Sequence, residues 1–121
     1  MKKKILIVDD EPQYLAVLKG YIAMVGDFEC ISCNDGRSAL DILEKEHFDC
    51  ILLDLVMPEV GGIQVLKEVH DRKYGAKVVI ISGFLTDEIA KQCRKFGAYD
   101  LIDKPIDRHK LKCILKRVSV S

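Results

Sequence analysis

The sequence predicts an α/β fold in which a five-stranded parallel sheet is covered by helices on both faces. Strand-like and helix-like segments alternate five times along the chain without a break. The runs Ile5-Leu6-Ile7-Val8 and Cys50-Ile51-Leu52-Leu53 are wholly apolar, as strands buried on both faces of a parallel sheet are. Those runs stop on acids, at Asp9-Asp10 and at Asp54, and the run Tyr99-Asp100-Leu101-Ile102-Asp103 stops on Lys104. In open α/β sheets the carboxyl ends of the strands are where ligands bind.

The first strand covers residues 4–8. A helix follows from Pro12 to Val25, with Leu15, Leu18, Ile22 and Val25 on one face. Pro12 suits the first helical turn, Asp10 before it is a candidate cap, and Gly26 ends the helix. The second strand spans 28–33, and Asn34-Asp35-Gly36 turns the chain into a helix that sends Ala39, Leu40 and Leu43 inward. The third strand, 49–53, delivers Asp54. The loop Met57-Pro58-Glu59-Val60-Gly61-Gly62 leads to a helix with Ile63, Leu66 and Val69 along its stripe. The fourth strand, 77–81, ends at Ser82-Gly83, and the helix at about 86–96 buries Ile89, Ala90 and Cys93. The fifth strand, 99–103, reaches Lys104-Pro105, and the last helix packs Leu111, Ile114, Leu115 and Val118. The apolar first, third and fourth strands belong at the centre of the sheet. The second and fifth, carrying Glu29, Asp100 and Asp103, belong at or near its edges. Phe84-Leu85, just after Ser82-Gly83, reads first as core packing, the alternative being an exposed apolar pair that serves a partner.

The 121 residues read as one domain, 1–121, with no output domain in this stretch. Nineteen basic and nineteen acidic residues balance to zero formal charge, so neither nucleic acid nor an anionic membrane is expected as a partner. No apolar stretch approaches the roughly 20 residues that span a bilayer. The N-terminal apolar run ends too soon for a signal peptide, and a cytoplasmic location is expected. Five scattered cysteines are an odd number. Cys30 and Cys33 fall on a strand, where they point to opposite faces, and no second pair completes a zinc site; all five read as small buried hydrophobes. His47, His70 and His109 are isolated and carry no ligand role.

Three acids and a lysine remain at the strand ends. Adjacent carboxylates such as Asp9 and Asp10 repel each other unless a cation lies between them. Magnesium takes oxygen ligands and uses one or two carboxylates while keeping waters. Asp54 ends the most apolar strand, and a buried carboxylate without a partner is costly. A metal held by Asp10 and Asp54 would supply that partner and would let Asp54 act as a nucleophile toward phosphorus. Lys104 offers a positive charge and Ser82 a hydroxyl to phosphoryl oxygens, so that positioning and charge do most of the work.

Over essentially its full length the chain resembles the receiver domain of two-component response regulators, the CheY-like family. The matching residues are Val8-Asp9-Asp10-Glu11-Pro12, Asp54 with Met57-Pro58 and Gly62, Ile81-Ser82-Gly83, and Lys104-Pro105. The resemblance implies a flavodoxin-like sheet of order 2-1-3-4-5. It implies Asp54 as phosphoacceptor, with a histidine kinase or histidine phosphotransfer domain as donor and a downstream effector or output domain as target. It further implies Mg2+ on Asp10, Asp54 and the backbone carbonyl of Val56, with Asp9 acting through water. Ser82 and Lys104 would contact the phosphoryl group, the bond before Pro105 would be cis, and Gly62 would take a positive φ. A receiver assists its own phosphorylation and dephosphorylation but turns over no outside substrate, so enzyme is the wrong label for it.

One position departs from the family. Tyr or Phe commonly stands three residues before the lysine, where Leu101 stands here, and Tyr99 is not the matching position. That points to a muted response on the face formed by the fourth helix, fifth strand and fifth helix. Two rival chemistries fail on residues. A phosphatase of the haloacid-dehalogenase type needs an acid where Val56 stands, and a flavodoxin-like redox module would meet repulsion between Asp9-Asp10-Glu11 and a flavin phosphate. A degenerate receiver serving only as a scaffold is disfavoured, because the positions the chemistry needs are all present.

Overall fold

In the computed structural model, which describes residues 2–120, the alternation resolves into β1 (Lys3–Val8), α1 (Pro12–Val25), β2 (Phe28–Cys33), α2 (Gly36–Lys45) and β3 (Cys50–Leu53). There follow α3 (Gly62–Asp71), β4 (Lys77–Ser82), α4 (Asp87–Lys95), β5 (Asp100–Asp103) and α5 (Arg108–Val120). All five strands run parallel in the order β2-β1-β3-β4-β5. The expected central strands are central and the two charged ones form the edges.

Strand alternation divides the core between the two faces of the sheet. Leu6, Val8, Ile51, Leu53 and Ile80 meet Ala39 and Leu43 of α2, Val65, Leu66 and Val69 of α3, and Cys93 of α4. On the other side Ile5, Ile7, Leu52, Val79 and Ile81 meet Leu18 and Ile22 of α1 and Leu111, Ile114, Leu115 and Val118 of α5. Cys30 and Cys33 pack against opposite clusters, as strand alternation requires. They and Cys113 are only half buried, whereas Cys50 and Cys93 are enclosed, and all five thiols are free.

Local chemistry fixes the helix ends. The Asp35 carboxylate accepts the Ser38 N–H at 2.7 Å and its hydroxyl at 2.9 Å. Those bonds favour the charged form, and they hold the Asp35 carboxyl below the usual range. Thr86 caps α4 through Ile89 N–H at 3.2 Å; acids in its first turn and basic residues in its last match the helix dipole. α1 departs from the expectation. Its cap position is Glu11, not Asp10, and no side chain caps it; Pro12 removes one of the N–H groups a cap would serve.

Gly62 corrects a second expectation. It opens α3 without a positive φ; the left-handed residue of that loop is Glu59, at φ 62. Glycine is needed at 62 because a Cβ would lie 2.1 Å from the carbonyl oxygen of Asp54 and 2.7 Å from Cα of Leu55. Close approach of backbone, not turn handedness, selects it. Among the described residues no helix is long and apolar enough to cross a membrane.

Candidate functional site

Parallel register assembles the site. Val8 pairs with Leu53 across β1 and β3, so the next residues, Asp9 and Asp54, emerge side by side. Ser82 pairs with Asp103 across β4 and β5, which sets Lys104 one step further. The ladders run on into these residues: Asp54 N–H donates to Val8 O at 2.9 Å and Lys104 N–H to Ser82 O at 2.9 Å. Four segments far apart in sequence thus meet on one edge of the sheet. The Lys104-Pro105 bond is cis, as the resemblance implied.

Asp9 and Asp54 are nearly sealed from solvent, at 1% and 3% exposure, while Asp10 and Glu11 are more open. One carboxylate oxygen from each of these four residues lies within 4.8 Å of the others. Asp9 Oδ1 accepts the Glu11 N–H at 2.9 Å, and its Oδ2 accepts from Lys104 Nζ at 3.0 Å. Lys104 Nζ also donates to Glu11 Oε1 at 3.1 Å and lies 3.7 Å from Asp54 Oδ1. Burial works against the charged Lys104, but the bonds to Asp9 and Glu11 and the charges of Asp54 and Asp9 outweigh it and raise its pKa.

Asp54 goes the other way for a carboxyl. Burial and the negative charge of Asp9 push it up to about 6, against the opposing pull of Lys104 and of the Val56 N–H that bonds its carboxylate. A single ammonium therefore leaves the acid cluster short of positive charge. Hard oxygen donors gathered in one place, with negative charge in excess, fit magnesium or a similar hard divalent cation. Asp9, Asp10 and Asp54 are the residues that would hold it.

Asp10, Glu11, Tyr14, Asp54, Val56, Gly83, Phe84 and Lys104 line one open cleft. Ser82, next to Gly83 of the lining, is fully buried, with Oγ accepting the Phe84 N–H at 3.1 Å. Val56 is exposed on the wall. Pro58 lies further along the loop, where with Asp10, Arg37 and Glu59 it borders an adjoining groove. Every candidate thus falls in or beside the cleft except Leu101, which is buried in the core on the α3 and α4 side, and the structural residues Gly62 and Pro105. The reading of Phe84 as core is overturned: it is 65% exposed beside the cleft, and only Leu85 packs inward. Tyr99 precedes β5, with Lys77 Nζ 5.8 Å above its ring.

Two participants were not singled out from sequence. In the sequence Glu11 stands only within the motif that follows the first strand, and Tyr14 is an unremarked position of the helix after it. Their signal was position: the first turn of a helix that starts at the carboxyl edge of β1 faces whatever gathers there.

An open sheet of this order, with acids and a lysine brought together at its carboxyl edge, is the architecture of a receiver domain. Comparison with known proteins agrees: the family profile described as response regulator receiver domain matches residues 5–116, and the chain belongs to that family, the receiver domains of two-component response regulators. It is 36% identical over 114 residues to the regulatory protein AtoC of Escherichia coli K12, covering 94% of this chain and 24% of that protein. It is 33% identical over 123 residues to the probable transcriptional regulator ycf27 of Galdieria sulphuraria, covering 97% and 47%. The chain thus spans from about a quarter to half of the length of these relatives. Among solved structures, a CheY-like receiver domain protein from Methanospirillum hungatei superposes with a TM-score of 0.89 at 27% identity, over 98% of this chain and 94% of the other.

Proposed function

We propose that this receiver takes a phosphoryl group onto Asp54 from a phosphohistidine of a histidine kinase or phosphotransfer domain, and that the resulting acyl phosphate switches a surface read by an effector or output domain. The observation that carries the reading is a buried carboxylate, raised in pKa, that lies 3.7 Å from the ammonium of Lys104 and lines an open cleft. Asp54 Oδ attacks phosphorus in line; the O–P bond forms as the donor's P–N bond breaks, and the electron pair leaves with the imidazole nitrogen. Lys104 meets the charge on the phosphoryl oxygens. Ser82 gives up its bond from Phe84 N–H and turns its hydroxyl toward them. Bound magnesium would supply charge neutralisation and a template for the phosphoryl oxygens.

The donor docks beside α1, whose first turn borders the cleft and whose solvent side carries Ala16, Val17, Ala23 and Met24. Hydrolysis of the acyl phosphate resets the domain, with the exposed side chains of Val56 and Phe84 flanking the route that water takes. The domain assists its own modification and turns over no outside substrate. It contacts neither nucleic acid nor membrane itself, and its setting is the cytoplasm. Incubation with acetyl phosphate, with and without Mg2+, followed by intact mass, tests the reading. A single phosphoryl gain that needs Mg2+ and vanishes in Asp54→Asn is the expected result. Labelling that persists in Asp54→Asn overturns it.

A further inference from the structure

Resting on the phosphoacceptor reading, we propose that Tyr14 is a positioning residue for that reaction, acting through Lys104. The Lys104 ammonium lies 4.0 Å from the centroid of the Tyr14 ring, close enough for a cation–π contact. Its remaining contacts are carboxylates: Asp9 at 3.0 Å, Glu11 at 3.1 Å and Asp54 at 3.7 Å. The side chain is only 9% exposed, so the ring replaces water on one side of the charge.

The two kinds of contact differ in what the reaction asks of them. To meet an incoming phosphoryl group Lys104 must exchange carboxylate oxygens for phosphoryl oxygens. Glu11 is the partner most easily given up, being more open and also engaged with Gln13 Nε2 at 3.0 Å. The ring carries no net charge, so it neither neutralises the ammonium nor competes with phosphate for it. A ring face is also tolerant of sliding, so the contact persists while Nζ moves toward phosphorus. Keeping water off that side lets the lysine charge act through a less polarisable medium. Tyr14 is fixed for this work by the first turn of α1, where its N–H donates to Glu11 O at 3.0 Å and Pro12 sets the entry.

The test uses the whole chain with acetyl phosphate and Mg2+, the rate of phosphoryl gain being read by intact mass. In this reaction the Asp54 O–P bond forms as the donor's P–O bond breaks, and acetate leaves with the electron pair. Tyr14→Phe keeps the ring and labels within about twofold of the unmodified chain, while Tyr14→Leu and Tyr14→Gln slow it about tenfold, the scale of one partly desolvated cation–π contact. Magnesium dependence stays the same in all three, which separates loss of lysine positioning from damage to the acid cluster. An independent signature is magnetic: the ε-methylene protons of Lys104 resonate upfield under the ring in the unmodified chain and in Tyr14→Phe, and return toward the ordinary position in Tyr14→Leu. Full-rate labelling of Tyr14→Leu, or equal slowing by Phe and Leu, overturns the assignment while leaving Asp54 as acceptor intact. If the unmodified chain gains no phosphoryl group, the acceptor reading falls, and this inference with it.

Discussion

Asp54 is held in surroundings that disfavour its own charge. Its carboxyl titrates at about 6 in the folded protein against an ordinary 3.8, so between those values the folded chain binds more protons than the unfolded one. Stability contributed by this group is therefore complete below about pH 4 and is lost as pH rises through 6. Asp54→Asn removes the loss and should stabilise the metal-free protein at pH 7 by about 1–3 kcal/mol. Thermal melts in chelator would show the variant melting higher at pH 7, with the gap closing near pH 4; added Mg2+ should raise the unmodified chain more than the variant. A variant that melts lower at pH 7 in chelator contradicts the account. Residues like this one were legible in the sequence because acids at the ends of apolar strands are conspicuous. Glu11 and Tyr14 were not, because their roles depend on where the Lys104 ammonium, some 90 residues on, comes to rest.

At the scale of elements, alternation and apolar stripes placed all ten segments, because buried strands and amphipathic helices have distinct periods. What they could not resolve were contacts made between elements. Gly62 is the clearest case: a glycine opening a helix after a loop reads as a turn residue, yet its need comes from the carbonyl of Asp54 lying against it. Gly62→Ala should thus cost about 2 kcal/mol or more, since the obstacle is backbone and cannot swing aside. Because that backbone belongs to Asp54, the labelling proposed for it should slow as well. Chemical denaturation and the acetyl phosphate assay check both effects. Unchanged stability in Gly62→Ala would show that the loop yields. Phe84 misled for a related reason: an aromatic beside a buried strand end suggests core, but here the chain leaves the sheet and turns outward.

For the whole molecule, one residue bears on how the proposed phosphorylation would be reported. Leu101 occupies the place where the family commonly has an aromatic, and it is already 92% enclosed within the core. An apolar side chain so placed gains nothing by moving when Ser82 turns toward a phosphoryl group. Tyr99 lies further back along the chain, held against Lys77. A muted rearrangement across α4, β5 and α5 is the expected consequence. Amide spectra with and without a phosphoryl mimic such as beryllofluoride should then show their largest changes around residues 54–62 and 82–84. Large shifts throughout 84–104 would defeat this view. The parallel sheet and its central strands were legible in the alternation and the apolar runs, and the order 2-1-3-4-5 came from the resemblance to the family.

The shared register of β1, β3, β4 and β5 has a practical side. Because all the reactive side chains emerge at the carboxyl edge, the opposite edge, with the turns around Glu46, Gly75 and Gly97, is chemically silent. Fluorophores, affinity handles or inserted peptides placed there would sit a full strand's length from Asp54. The molecule in effect comes with a reactive pole and a handling pole, and a reporter of phosphorylation can be built on the second without touching the first.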